Sequence, residues 1–100
     1  MKVTNMTSSR GNTVPNQFII QDETDQNSGN CIEYFQSYNI VIAKRDKFRA
    51  GIAKRQIWLD TKWQYSRTTS KYLYQFLGMN RKEIEANIKN GSIIVTDLNK

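Results

Sequence analysis

The apolar residues of the chain follow two different spacings, one typical of strands before residue 60 and one typical of helices between residues 66 and 91. Residues 17–21 (QFIIQ), 40–43 (IVIA) and 56–59 (QIWL) are short apolar runs rich in β-forming residues, which predict strands. Residues 31–38 (CIEYFQSY) alternate instead. Ile, Tyr and Gln lie on one face of this predicted strand, and Glu, Phe and Ser lie on the other. The alternation indicates a strand whose two sides face different environments.

Helical spacing begins after residue 65. Ser66 is a candidate N-cap, because its hydroxyl can accept a main-chain N–H from the first turn of a helix. The following residues predict one buried helix face, formed by Thr69, Tyr72, Leu73, Phe76 and Leu77. Gly78 stands where this helix ends, since glycine adopts the left-handed conformation of a C′ residue without strain. Three residues of the segment fall off the buried face: Arg67, Lys71 and Tyr74.

A second short helix is predicted next. Residues 80–83 (NRKE) have the spacing of a capping box, Ile84 and Ile88 lie four residues apart on one face, and residues 90–91 (NG) end the helix. Residues 92–96 (SIIVT) predict a last strand. The predicted fold class is therefore α+β, with a small antiparallel sheet of about five strands and two short helices packed on one face.

Two segments fit less simply into this scheme. Residues 1–15 are interpreted as an N-terminal arm, either flexible or a short edge strand, with a turn at Gly11-Asn12. Residues 16–100 are interpreted as a single α+β domain. The segment 44–55 (KRDKFRAGIAKR) forms either a long hairpin loop between its flanking strands or a short helix, which Arg, Lys and Ala favour. We prefer the hairpin.

Positive charge is concentrated in the middle of the chain. The net charge is +6; residues 1–43 carry two basic and four acidic side chains, whereas residues 44–71 carry nine basic and two acidic ones. A local positive field favours an anionic partner, which is nucleic acid or an acidic protein surface, and favours a membrane less. Of Trp58 and Trp63, one is expected in the core and the other near the basic surface.

Nine residues of this region are predicted to contact the partner. Their cations could follow a phosphate backbone while aromatic rings stack on bases, or they could meet an acidic protein surface. Both alternatives stay open, because a basic patch alone does not distinguish them. The predicted binding residues are Lys44, Arg45, Lys47, Arg49, Lys54, Arg55, Arg67, Lys71 and Tyr74.

The residue types that most catalysis needs are missing. The chain has no histidine and a single cysteine, Cys31, which excludes His-based acid–base catalysis, Ser-His-Asp triads and a usual structural zinc site. Five widely spaced glycines form no phosphate-binding motif. Tyr72 or Tyr74 beside Arg67 and Lys71 supplies the residue types of a tyrosine nucleophile, but an aromatic helix face packed on the sheet is favoured. We predict a protein that is not an enzyme and binds no metal or cofactor.

The surroundings of the protein are predicted from what the chain lacks. It has no apolar signal segment and no apolar run of membrane-spanning length. With one cysteine it can form no intramolecular disulfide. A soluble protein in a reducing cytoplasm is expected, and its oligomeric state is left open.

Four segments resemble a known group of proteins: TSSRGNTVPNQF, YFQSYNIVIA, IWLDTKWQYSRTTSKYLYQFLG and IKNGSIIVTDLN. They are similar to the patterns T-S-x-R-G-N-x-x-x-N-Q-F, F-Q-S-Y-x-S-x-I-A and L-D-x-x-x-W-x-Y-S-x-T-T-x-K-Y-x-x-x-F-L-G. These patterns belong to a family of small uncharacterised proteins from phages and from integrated or conjugative elements of Firmicutes. The chain departs from the patterns at residues 39–41, and its segment 45–55 is longer and more basic. The resemblance implies a setting and no activity.

Small phage proteins without catalytic residues are often stoichiometric binders of host machinery, and inhibitors of host defence, including anti-CRISPR proteins, fall in this class. The resemblance therefore implies a non-enzymatic accessory protein of a bacterial host cytoplasm, which binds and modulates a host or phage protein complex that handles nucleic acid. The alternative is a direct DNA- or RNA-binding module that uses the basic hairpin. Direct binding to phosphates would weaken steeply with salt, which separates the two hypotheses.

Overall fold

The structure is a computed structural model that describes residues 2–25, 30–48, 56–64 and 66–99. These residues form, in order, β1 (Lys2–Thr7), β2 (Thr13–Asp25), β3 (Asn30–Ser37), β4 (Ile40–Phe48), β5 (Ile57–Asp60), α1 (Arg67–Leu77), α2 (Arg81–Lys89) and β6 (Ile93–Thr96). The strands lie in one sheet in the order of the chain. Neighbours from β1 to β5 are antiparallel, and β6 runs parallel to β5.

The predicted α+β class is confirmed, with corrections to the sheet. The described residues form six strands rather than about five, because Lys2–Thr7 pair with β2 as an edge strand. The sheet is mixed rather than antiparallel, since β6 follows β5 only after both helices and such a crossover returns the chain in the same direction. β2 also extends from Thr13 to Asp25, well beyond the strand predicted for residues 17–21.

A turn at residues 8–12 joins β1 to β2. Ser8 donates its main-chain N–H to Asn12 O at 2.8 Å, and Gly11 donates its N–H to Ser8 O at 2.9 Å. Gly11 has a φ of 81°, which glycine adopts at little cost because it has no Cβ. The turn predicted at Gly11-Asn12 is therefore present, and it folds Lys2–Thr7 back onto β2.

Both helices begin and end where their local sequence predicts. Ser66 Oγ accepts the N–H of Thr69 at 3.0 Å, and Gly78 ends α1 with a φ of 67°. Asn80 and Glu83 form the predicted capping box of α2. The predicted inward face of α1 is confirmed, because its buried residues are Thr69, Tyr72, Leu73, Phe76 and Leu77.

The helices pack on one side of the sheet, called here the covered face. A row of cross-strand neighbours on this face crosses all six strands, through Thr4, Ile19, Phe35, Ala43, Leu59 and Val95. The Phe35 ring stacks against Phe76 of α1 with 5.8 Å between the ring centroids. Leu73 of α1 and Ile84 of α2 are fully buried in the same cluster. The hydrophobic core thus lies between this row and the helices.

Polar groups of β3 and β4 hold α1 at both of its ends. Near the start of the helix, the hydroxyls of Ser37 and Thr69 lie 2.8 Å apart in a buried contact. Near its end, Arg45 donates to the main-chain O of Phe76 at 2.8 Å, and its guanidinium lies 4.1 Å from the centroid of the Phe76 ring. Arg45 also forms an ion pair with Glu33 at 2.9 Å. These contacts fix the register of the helix, because sliding it would leave buried polar groups unpaired.

The basic segment begins as a strand. β4 continues to Phe48, and Lys44 and Arg45 pair with Trp58 and Ile57 of the antiparallel β5. The described part of the segment, residues 44–48, is therefore neither loop nor helix, because Lys44, Arg45 and Lys47 lie in a strand. The remainder of the predicted hairpin loop, residues 49–55, lies outside the described residues.

The segment after β6 is fastened to the sheet by two side chains. Asn99 Oδ1 accepts the N–H of Val41 at 2.8 Å, and Asn99 Nδ2 donates to Val41 O at 2.9 Å, so its amide pairs with β4 as another strand would. The buried carboxylate of Asp60 accepts from Asn99 Nδ2 and from the main-chain N–H groups of Leu98 and Lys62. These bonds account for the polar residues at this end of β5.

Candidate binding surfaces

The side of the sheet opposite the helices is called here the open face. One row of cross-strand neighbours crosses it through all six strands: Val3, Ile20, Tyr34, Lys44, Trp58 and Ile94. Five of these six side chains are apolar or aromatic. At a strand spacing of about 4.8 Å, the row is about 24 Å long. Because side chains alternate along each strand, this row is the outward counterpart of the row that forms the core.

The exposure of this row increases toward the edges of the sheet. Ile20, Tyr34 and Trp58 are half-buried by their neighbours, whereas Val3 on β1 is 58% exposed and Ile94 on β6 is 44% exposed. No member of the row belongs to the buried core. Connected exposed apolar patches are uncommon on monomeric proteins, so the row is a candidate interaction surface.

The charges of the open face are few and mixed in sign. Lys44 is its only cation among the described side chains, and its Nζ lies over the Trp58 ring at 4.8 Å from the centroid. Asp22 and Asp46 flank Ile32 on the next row of the same face. The open face is therefore apolar with a slightly acidic border, although the chain as a whole is strongly basic.

A second surface lies on the side of the helices that faces away from the sheet. An open depression of about 570 Å³ borders the outer side of α1 and the start of α2, and is called here the α1 depression. Its lining combines cations with neutral hydrogen-bonding groups: Gln64, Ser66, Arg67, Ser70, Lys71, Tyr74 and Arg81. None of the described residues that line it is acidic, although the carboxylate of Glu85 binds Arg81 from outside the lining. The α1 depression and the open face lie on opposite sides of the molecule, since the core of the covered face separates them.

The cations of the α1 depression differ in their partners. Arg81 Nε donates to Glu85 Oε1 at 2.8 Å, and this hydrogen bond, with the charge of Glu85, raises the pKa of Arg81 above its usual value. Within the described residues, Arg67 and Lys71 have no ion pair. Lys71 Nζ lies 5.4 Å from the centroid of the Tyr72 ring. Two exposed cations are thus free to meet an anion.

The structure brings together three of the nine predicted binding residues, namely Arg67, Lys71 and Tyr74. Lys44 lies on the open face, across the sheet from them. Arg45 lies on the covered face, where its guanidinium is engaged by Glu33 and Phe76. Lys47 lies in β4, but the structure does not describe its side chain. The other three predicted residues lie outside the described part of the chain: Arg49, Lys54 and Arg55.

Sequence reasoning missed four residues of the α1 depression and the open face as a whole. Ser70 could have been found, because it shares the helical stripe of Arg67 and Tyr74. Arg81 could not have been found in this way, because its position beside α1 depends on how the chain turns between α1 and α2. Trp58 was expected either in the core or near the basic surface; it lies under Lys44 on the open face, and Trp63 is the buried one, at 8% exposure.

The described residues form neither a cluster of metal ligands nor a membrane-spanning helix. No group of three His, Cys, Asp or Glu side chains is placed to hold a metal ion. No helix in the same part of the chain has the length and apolar character needed to cross a membrane.

The resemblance noted in the sequence is confirmed in its broader part, membership of an uncharacterised family. Comparison of the chain with curated proteins and with solved structures gives no match. A family profile matches residues 1–92, which include the first five strands and both helices. The chain belongs to the family of unknown function DUF8033.

Proposed function

We propose that this chain is a non-enzymatic accessory protein that binds a partner protein through the open face of its sheet, and that it thereby modulates a complex that handles nucleic acid. The observation that carries the proposal is the apolar row from Val3 to Ile94, which crosses six strands without a covering layer among the described elements. A connected exposed apolar patch on a monomer often marks a binding site.

The charges of the open face favour a protein over nucleic acid as its partner. A nucleic-acid strand requires several cations along its phosphates, in addition to rings that stack on bases. The aromatic rings are present in Phe18, Tyr34 and Trp58, but Lys44 is the single described cation, and Asp22 and Asp46 would repel phosphates. The expected partner therefore presents an apolar surface with cations at its border, which meet these two carboxylates.

The setting of the proposal comes from the family resemblance. Similarity to small proteins of phages and mobile elements supports a protein of the bacterial host cytoplasm that acts on a host or phage complex, and an anti-defence inhibitor of the anti-CRISPR kind is one form of this. The absence of histidine from the chain supports a binding role over a catalytic one.

The competing function, direct nucleic-acid binding by the basic hairpin, has less support from the described residues. Of its side chains, Lys44 stacks on Trp58, and Arg45 is turned inward to Glu33. The hairpin hypothesis now depends on the side chain of Lys47 and on residues 49–55, none of which the structure describes.

Two matched substitutions test the protein-binding proposal. Ile94 and Val95 are neighbours in β6 with similar exposure, 44% and 39%, but they point to opposite sides of the sheet. Ile94→Lys places a charge in the open row, whereas Val95→Lys places the same charge outside it. We expect Ile94→Lys to weaken partner binding about tenfold or more, as for a hot-spot residue, and Val95→Lys to leave it nearly unchanged.

The measurement uses the tagged full chain in host cells, purified with and without nuclease. A partner that survives nuclease is then purified and titrated with the chain and both variants. Three results would overturn the proposal: no partner that survives nuclease, equal effects of the two variants, or a homodimer in light scattering that Ile94→Lys alone dissociates. The last result would assign the open face to a second copy of the chain.

A further inference from the structure

We propose that the α1 depression is a second and independent binding site, which takes the phosphate backbone of a single-stranded nucleic acid. It lies on the side of the molecule away from the open face, so one chain can hold a partner protein and a nucleic-acid strand at the same time. The site does not depend on the proposed function, because its residues belong to the helices and to the segment just before them.

The donors of the α1 depression match those that proteins use on phosphates and sugars. Arg and Lys side chains, together with Ser, Gln and Tyr, make most protein contacts to nucleic-acid backbones. Arg67, Lys71 and Tyr74 follow one another at helical spacing along about 10 Å of α1, and Arg81 faces them from the start of α2. The planar fork of Arg67 can hold a phosphate through two hydrogen bonds, whereas Arg81 already donates through Nε to Glu85 and has only its terminal N–H groups left for a phosphate.

The charges of α1 are not explained by the stability of the helix. Arg67 and Lys71 carry like charges four residues apart, and the first turn of α1, where the helix dipole favours anions, contains no acidic residue. Helix α2 differs in having an acidic residue, Glu83, beside Arg81 and Lys82 in its first turn, and a cation, Lys89, in its last. A bound phosphate would relieve the repulsion in α1 and would lie near the positive end of its dipole.

The neutral donors and the open shape favour a nucleic-acid strand over an acidic peptide. Carboxylates of a peptide need mainly cations, whereas a phosphodiester chain also offers sugar and bridging oxygens to Ser70 and to the Tyr74 hydroxyl. The half-buried ring of Tyr74 gives a base a surface on which to stack. The α1 depression is open on its outer side. A long nucleic-acid chain can therefore lie across it and continue beyond it in both directions.

Fluorescence anisotropy with the purified chain and labelled 20-nucleotide DNA or RNA tests the site. Binding is measured over a series of salt concentrations for wild type, for Arg67→Gln/Lys71→Gln, and for the matched control Lys62→Gln/Lys89→Gln. The control removes two exposed cations that do not line the depression. Each phosphate contact contributes about 0.7 to the slope of log affinity against log salt for single strands, so the first variant should flatten this slope by about 1.4.

The expected outcome is saturable binding at low salt, a flatter slope in the Arg67→Gln/Lys71→Gln variant, and an unchanged slope in the control. Thermal melting confirms that each variant folds, which is expected because the replaced side chains are exposed. The proposal is overturned if no binding occurs at low salt, if the control weakens binding as much, or if polyglutamate competes as well as the unlabelled strand. Inorganic phosphate serves as a further competitor. If it displaces the labelled strand as well as the unlabelled strand does at the same phosphate concentration, the site binds free phosphate and the nucleic-acid proposal is overturned. Since no partner protein is present, failure here leaves the open-face proposal untouched.

Discussion

Replacing Arg45 by methionine separates a structural role of this residue from a role in binding. Arg45 belongs to the basic run of the sequence, yet its guanidinium lies on the covered face. It pairs there with Glu33 at 2.9 Å, donates to Phe76 O at 2.8 Å and lies 4.1 Å from the Phe76 ring centroid. Arg45→Met keeps an unbranched apolar side chain in the same space but removes all of the polar contacts. We expect a large loss of stability.

The size of the loss follows from the burial of Glu33. Its side chain is only 5% exposed, and that of Arg45 is 18% exposed. Removing one member of a buried ion pair costs about 3–5 kcal/mol, because the remaining charge stays buried. Glu33 keeps the hydrogen bond from Gln21 at 3.0 Å, which places the expected loss near the lower end, at about 3 kcal/mol. In a domain of this size that corresponds to a decrease in Tm of roughly 12–15 °C.

Thermal unfolding followed by circular dichroism measures this change, with Lys44→Met as the control. Lys44 is the neighbouring cation of β4, and its one aromatic contact is the Trp58 ring on the open face, so its replacement should cost about 1 kcal/mol or less. Adding Glu33→Gln to Arg45→Met should restore part of the stability by removing the buried charge. If Arg45→Met and Lys44→Met melt at the same temperature, Arg45 does not have the role described here. If Arg45→Met fails to fold, the Arg45→Met/Glu33→Gln variant is measured instead. Folding of this double variant would show that the buried charge of Glu33 had prevented the folding of Arg45→Met.

Further predictions concern the attachment and the ends of α1, and all are measured as free energies of unfolding in urea. Ser66→Ala should cost about 1 kcal/mol, because the N–H of the first turn loses its acceptor; no loss would contradict the cap. Ser37→Ala should cost about 1–3 kcal/mol by leaving the Thr69 hydroxyl buried without its partner, and Ser37→Ala/Thr69→Val should cost less than the sum of the single changes. Gly78→Ala should cost about 1 kcal/mol from its positive φ alone, since no atom lies within 4 Å of the added Cβ, and Gly78→Asn should cost less.

The helices α1 and α2 show which features of the fold can be predicted from a few neighbouring residues. The caps at Ser66, Gly78 and Asn80, and the buried stripe that ends in Phe76 and Leu77, were predictable because they depend on a few neighbouring positions. A capping hydroxyl needs only the next turn, and a helical stripe needs only a spacing of 3.6 residues. The α+β class followed from these elements and from the alternation of the strands.

The candidate surfaces were less accessible to sequence reasoning. The alternation in β3 predicted two different faces but could not say that the helices cover Glu33, Phe35 and Ser37 rather than Ile32 and Tyr34. The basic run suggested one positive patch, whereas alternation along β4 sends Lys44 and Arg45 to opposite sides of the sheet. Which side receives the helices depends on packing between distant elements, and no local spacing encodes it.

The sequence by itself therefore determined the helices, their caps, the central parts of β2 to β6 and the stripe of Arg67, Lys71 and Tyr74 off the buried face of α1. Only the tertiary structure decided that Arg81 joins this stripe, that β6 runs parallel to β5 and that an apolar row crosses the open face. The physical reason is the range of the interactions. Capping and periodicity act within one or two turns, whereas a surface built from six strands exists only after the register of every strand pair has been set.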